Sequence, residues 1–127
     1  MYTIIEKINS KINELHYRIN QMSYSDKSIK FYYAEKIREI KEEIKDLNAQ
    51  LIFYRNYNEE QTIDIHGATT YFVDSYLYDL IIIKKKYHDK IFLITGKGSF
   101  VLFNATKKYL DYEEIRYKID NYNFIIY

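Results

Sequence analysis

The hydrophobic positions in the first half of the chain recur with a helical period. Ile5, Ile8, Ile12, Leu15, Ile19 and Met22 are spaced alternately by three and four residues, which places them on one seam of an α-helix. Thr3 and Glu6 have capping-box spacing: Thr3 can accept from a free backbone N–H while Glu6 reaches back. Ser23-Tyr24-Ser25-Asp26 offers a turn and a new N-cap,. A second seam follows in Tyr33, Ile37, Ile40, Ile44, Leu47, Leu51 and Tyr54. Two such helices with a short connection are expected to fold back as an antiparallel hairpin with coiled-coil-like packing. The charges between the seams, such as Lys41-Glu42-Glu43, read as a solvated face.

The period stops at the polar stretch Asn56 to Gln61, and the boundary is drawn there: a helical hairpin over 1–58 and an α/β domain over 59–127. Thr62-Ile63-Asp64-Ile65-His66 alternates as a short strand that ends at Gly67,. Thr69 or Thr70 can cap a helix whose inner face carries Phe72, Val73, Tyr76, Leu77, Leu80 and Ile81,. Lys84-Lys85-Lys86 falls in its last turn, where positive charge suits the helix dipole,. Ile91 to Ile94 is a continuous apolar run, as in a strand buried on both faces,. Val101 to Leu110 reads as a second helix. Ile115, Tyr117 and Ile119 alternate as a strand, Asn121-Tyr122-Asn123 can turn, and Phe124 to Tyr127 can close the sheet. The expected class is α+β: an antiparallel helical hairpin followed by a two-layer β-α-β-α-β-β sandwich with a right-handed first crossover.

Composition narrows the chemistry. The chain has 127 residues, with 19 basic and 18 acidic side chains, so charge alone gives no pull toward nucleic acid or membrane. From Glu59 onward there are nine basic and ten acidic residues, which argues against tight nonspecific nucleic-acid binding. A local patch from Lys84, Lys85, Lys86, Lys97, Lys107 and Lys108 is still open to it. The absence of Cys rules out disulfides and thiolate metal sites, and His16, His66 and His88 are too scattered for a zinc cage,. His16 reads as a flanking helix residue and His88 as a solvent-facing loop residue. The longest apolar runs, such as Leu80 to Ile83, are far too short to span a bilayer,. With no basic-then-apolar segment at Met1-Tyr2-Thr3, a cytoplasmic location is expected.

Only three Gly occur, so each is expected to mark a position the backbone requires. They fall in two polar loops, Asp64-Ile65-His66-Gly67 and Thr95-Gly96-Lys97-Gly98, both at carboxyl ends of strands, where α/β units place their sites,. Asp64 and His66, two apart on a strand, are expected on one face. A carboxylate beside an imidazole can hold its tautomer and raise its basicity. Lys97, in a Gly-flanked turn before a helix, can join backbone N–H groups in holding a phosphate. A base beside an anion cradle suits phosphodiester chemistry.

These motifs resemble the small-MutS-related (Smr) domain. That family opens with a strand carrying Asp-Leu-His-Gly, here Asp64-Ile65-His66-Gly67. It continues through a helix to a strand ending in Thr-Gly-Lys/Arg-Gly, here Thr95-Gly96-Lys97-Gly98. The likeness covers Thr62 to Tyr127. It extends upstream to a helical segment typical of eukaryotic members, Leu47 to Phe53 here, and an Asn-containing linker with Asn56 and Asn58. Two departures stand out. The family's His-Ser pair and Gly-rich stretch are replaced by Ser99-Phe100-Val101-Leu102, which runs straight into a helix. The closing Asn-x-Gly turn is replaced by Asn121-Tyr122-Asn123.

The resemblance implies nuclease activity or nucleic-acid binding without cleavage. It makes Asp64, His66 and Lys97 the catalytic candidates, with Gly67, Thr95, Gly96, Gly98, Ser99, Lys107 and Lys108 as phosphate- or RNA-contacting candidates. The expected function is an endoribonuclease acting on ribosome-associated or structured RNA, with RNA and the ribosome as partners and no metal or other cofactor. The shortened loop leaves open a factor that binds RNA or the ribosome and has lost the chemistry. A third reading is an adaptor that uses the helical hairpin as its interaction surface.

Overall fold

The structure is a computed structural model that describes residues 2–23, 27–98 and 100–127. Helices α1 (Tyr2–Ser23) and α2 (Lys27–Arg55) precede β1 (Thr62–Asp64), α3 (Thr70–Lys85), β2 (Ile91–Ile94), α4 (Phe100–Tyr112), β3 (Tyr117–Asp120) and β4 (Asn123–Ile126). The class is α+β, a helical pair followed by a four-stranded sheet with helices. The chain divides into two compact units, Met1–Leu51 and Ile52–Tyr127, so the last turn of α2 belongs with the sheet.

In the first unit the face of α1 differs from the expected seam. Ile5, Ile12 and Ile19 are exposed, while Ile4 is buried and Ile8, Leu15 and Met22 are half-buried. The half-buried Lys11 shares this face, and its ammonium lies 2.5 Å from Glu43 of α2. The long stem of Lys11 can cover apolar surface while its head reaches a carboxylate. On α2 the expected seam holds from Tyr33 to Leu51, with Ile37 and Ile40 buried, but Tyr54 at its end is exposed. Thr3 lies inside α1 rather than at its cap. The expected turn and N-cap fall on Tyr24 to Asp26, outside the described residues.

In the second unit the strand order is β1-β2-β4-β3. β1 runs parallel to β2, with Asp64 opposite Ile94, and the β3–β4 hairpin is antiparallel, with β4 beside β2. One face of the sheet carries Ile63, Ile91, Leu93, Phe124 and Ile126, all buried beneath the helix layer. From α3 that layer brings Phe72, Val73, Leu77, Leu80 and Ile81, and from α4 Leu102 and Leu110. Phe103 of α4 stacks on Phe124 with ring centroids 4.9 Å apart. On the opposite face Phe92 is 38% exposed between the buried Ile91 and Leu93. The apolar run of β2 is therefore buried on one side only, and its continuity reflects side-chain choice rather than two-sided burial.

Two ends differ from the sequence reading for local reasons. Ile115 is not part of β3; its N–H donates to Leu110 O while that of Glu114 donates to Asp111 O, with Glu114 at φ 56°. This closes α4 as a Schellman motif with a left-handed Glu where glycine is usual. Thr69 sits at the N-cap of α3 without a side-chain cap bond.

Candidate functional site

β1 is an edge strand of three residues, and its end is shaped by side chains. The N–H of Ile65 donates to Ile94 O and carries the ladder one residue beyond Asp64. There the chain turns away. The His66 N–H donates to Asp64 Oδ1 at 3.1 Å, and the His66 ring Nδ1 lies 2.6 Å from the same oxygen. His66 is thus not a strand residue, and the two side chains meet through a side-chain-to-backbone turn. In the neutral ring, with Nδ1–H donating to the carboxylate, Nε2 would carry the lone pair, and the ring is exposed,. Burial pushes the Asp64 carboxyl up, but the bonds from the His66 ring and amide, with the charges of His66 and Arg55, outweigh it and hold the carboxyl below its usual range.

The two polar loops meet through Gly96. It adopts φ +90°, and a Cβ placed on it would lie 3.2 Å from the Cβ of His66. Gly67 also requires a positive φ, at +79°, but has open space around it. Gly98 shows neither a positive φ nor a close neighbour, so the expectation that every glycine is required by the backbone holds for two of the three. Lys97 is exposed in the turn between Gly96 and α4, and Ser99 lies outside the described residues.

The remaining expected residues are placed elsewhere. Thr95 is buried, and its hydroxyl donates to Tyr122 O at 2.7 Å, tying the loop to the β3–β4 turn. Lys107 pairs with Asp111 at 3.3 Å, and Asp111 also accepts from the Tyr117 hydroxyl. Lys108 lines a groove of about 510 Å³ between α3 and α4 with Asp74, Tyr109, Tyr112 and Glu113. There burial, with Glu113 and Asp74 among the nearby acidic groups, pushes the Tyr109 hydroxyl up to about 12. In that groove Lys108 is accompanied by two carboxylates, Asp74 and Glu113.

Lys84 leaves the expected patch altogether. It is fully buried, and its ammonium donates to Asn58 Oδ1 at 2.6 Å and to Glu60 O at 2.7 Å. His88 is half-buried rather than solvent-facing, with Nε2 2.6 Å from Glu59 O. Gln61 donates to Lys90 O at 2.9 Å. The polar stretch 56–61 is therefore gripped by α3 and the start of β2. Sequence reading takes such a stretch for a loose linker, because the partners of Asn58 to Gln61 on α3 and at its far end lie more than twenty residues away.

The reading of the loops also misses Asn56 as part of the site. Asn56 is buried; its Oδ1 accepts from the Asp64 N–H at 2.8 Å and its Nδ2 donates to Asp64 O at 2.9 Å. Arg55 Nη2 donates to the same carbonyl at 3.1 Å. The only available signal was two Asn just before the strand. Among the described residues, no group of three or more His, Asp or Glu is placed to hold a metal ion, and no helix is long and apolar enough to cross a membrane. Comparison with protein-family models, with curated proteins and with solved structures finds no match to this chain.

Proposed function

We propose that the chain is an RNA-directed protein of the Smr type and that the end of β1 is the reacting site of an endoribonuclease. The observation that carries this reading is the Asp64–His66 contact at 2.6 Å, beside a loop whose Gly96 leaves an added Cβ only 3.2 Å from the Cβ of His66. His66 Nε2 takes the proton of a 2′-hydroxyl, and Asp64 holds the ring in the tautomer that allows it. The 2′-oxygen then bonds to the adjacent phosphorus, and the 5′-oxygen leaves with a proton from solvent. The products are a 2′,3′-cyclic phosphate and a free 5′-hydroxyl. Lys97 balances the charge that grows on the phosphoryl oxygens. The cytoplasm and the ribosome are the location and partner this reading implies.

The test is cleavage of a structured RNA by purified protein. His66→Ala and Asp64→Asn are expected to abolish cyclic-phosphate product, and Lys97→Ala to reduce its rate with the pattern of cuts unchanged. Cleavage unaffected by His66→Ala removes His66 from the mechanism. The placement of the Thr95 hydroxyl on Tyr122 O favours a second reading, an RNA-binding factor without cleavage. RNA bound but uncut by the wild type, with binding lost in Lys97→Ala, identifies that case.

A further inference from the structure

We infer that Asn56 is a positioning residue for the Asp64–His66 pair. The inference rests on the reading of that pair as the reacting groups. β1 pairs on one side only, with β2. In a strand, alternate residues turn their backbone groups to opposite edges. Ile65 donates toward β2, so Asp64 turns its own N–H and C=O to the free edge. No strand lies there. The carboxamide of Asn56 takes its place, accepting from the Asp64 N–H and donating to the Asp64 carbonyl. The same Nδ2 also donates to Ile52 O at 3.0 Å, which anchors the amide to the last turn of α2. An Asn side chain presents one donor and one acceptor side by side, as a backbone neighbour does.

The consequence falls on His66. The carboxylate that orients the imidazole belongs to the residue that Asn56 clamps, and the turn to His66 begins from that clamped backbone. Without the clamp, Asp64 would keep only the Arg55 bond to its carbonyl and its neighbours' bonds to β2, and nothing would accept from its N–H. The Asp64 carboxylate would then sample several directions, and the His66 ring would lose the partner on Nδ1. Asn56 itself is buried, so it acts through Asp64 and does not touch a substrate.

The experiment reads the ring nitrogens of His66 by ¹⁵N NMR in the full chain, at a pH of about 8 where an ordinary imidazole is neutral. His66→Ala assigns the signals. In the wild type, Nδ1 is expected to carry the proton and Nε2 to be bare. Asn56→Ala is expected to move both signals toward those of Asp64→Asn, while the melting curve still shows a folded protein. Asn56→Asp keeps the size and the acceptor but replaces the donor by an oxygen facing two carbonyls, and it is expected to shift the same signals. Ring signals unchanged in either folded variant overturn the proposal. A measurement on the wild type alone guards against variants that fail to fold. Asp64 N–H exchange as slow as that of Leu93 supports the clamp, and exchange as fast as in an exposed loop overturns it. None of these readouts needs RNA. A wild type that cuts no RNA but shows the expected ring signals removes the nuclease reading and leaves the role of Asn56 standing. In an active protein, Asn56→Ala is expected to lower kcat by about tenfold or more with KM little changed.

Discussion

Gly96 stands against His66 at a distance that no larger residue could occupy without moving one of them: an added Cβ would come within 3.2 Å of the His66 Cβ. The same glycine holds φ +90°, a region in which a side chain is strained whatever the space. Two independent costs therefore fall on one position, and the atoms displaced are the Cβ and Cα of His66, from which its imidazole is carried.

Gly96→Ala is accordingly expected to destabilise the protein by about 1–3 kcal/mol through backbone strain and also to shift the His66 ring resonances. Gly67→Ala is the matched control, because Gly67 shares the positive φ but faces open space. It is expected to show a similar stability loss in chemical denaturation with a smaller shift at the ring. Equal ring shifts in the two variants would mean that contact at position 96 is not what places the imidazole.

The Asp64–His66 bond gives a pH dependence whose sign follows from the lowered Asp64 carboxyl. An acid whose folded-state value lies below its unfolded value, about 3.9 for Asp, binds fewer protons when folded. Its stabilisation is full above the unfolded value and disappears as pH falls through the folded one. Both side chains are partly exposed, at 61% for His66 and 41% for Asp64, so solvent screening keeps the contribution below about 1 kcal/mol. The difference in unfolding free energy between wild type and Asp64→Asn is expected to be constant from neutral pH down to about 4 and then to shrink. A difference that grows under acid would contradict the assignment.

The element order of the second unit is legible in the sequence because each segment has its own period. The alternation of Thr62 to Asp64 and the inward stripe of Phe72, Leu77 and Leu80 are local signals. What escapes the sequence depends on partners far along the chain. Thr95 reads as a phosphate contact until Tyr122, 27 residues on, takes its hydroxyl. Asn58 reads as linker until Lys84, 26 residues on, pairs with it. Asn56 escapes even though Asp64 is only eight residues away. The face of α1 also escapes: hydrophobicity ranks Ile5 and Ile12 above Lys11, yet Lys11 is half-buried and pairs with Glu43 while the two Ile are exposed. The Asp64–His66 half of the site is visible because its two residues are neighbours in sequence. Its support is invisible because burial of an amide leaves no periodic trace.

Lys84 supplies the last prediction. It lies in a run of three lysines, yet it alone is buried, beneath the segment that leads into β1. Burial lowers its pKa from the ordinary 10.5, and the Glu60 charge only partly offsets this. A base with a folded-state value below its unfolded one binds fewer protons when folded. Stability therefore rises with pH across the window between the lowered folded value and 10.5,. Lys84→Met keeps the apolar stem and removes the titrating group, so that rise is expected to vanish in denaturant titrations run from neutral to alkaline pH. Its acceptors Asn58 and Glu60 are exposed residues and can turn to water. The Met variant is therefore expected to unfold at neutral pH no earlier than the wild type, as replacement of buried charge by apolar volume often allows. Lys84→Ala, which leaves a cavity under the same segment, is expected to cost about 2–4 kcal/mol. An alkaline rise identical in wild type and Lys84→Met would place its origin in another group. Early unfolding of the Met variant alone would show that the two bonds to Asn58 and Glu60 outweigh the cost of burying the ammonium.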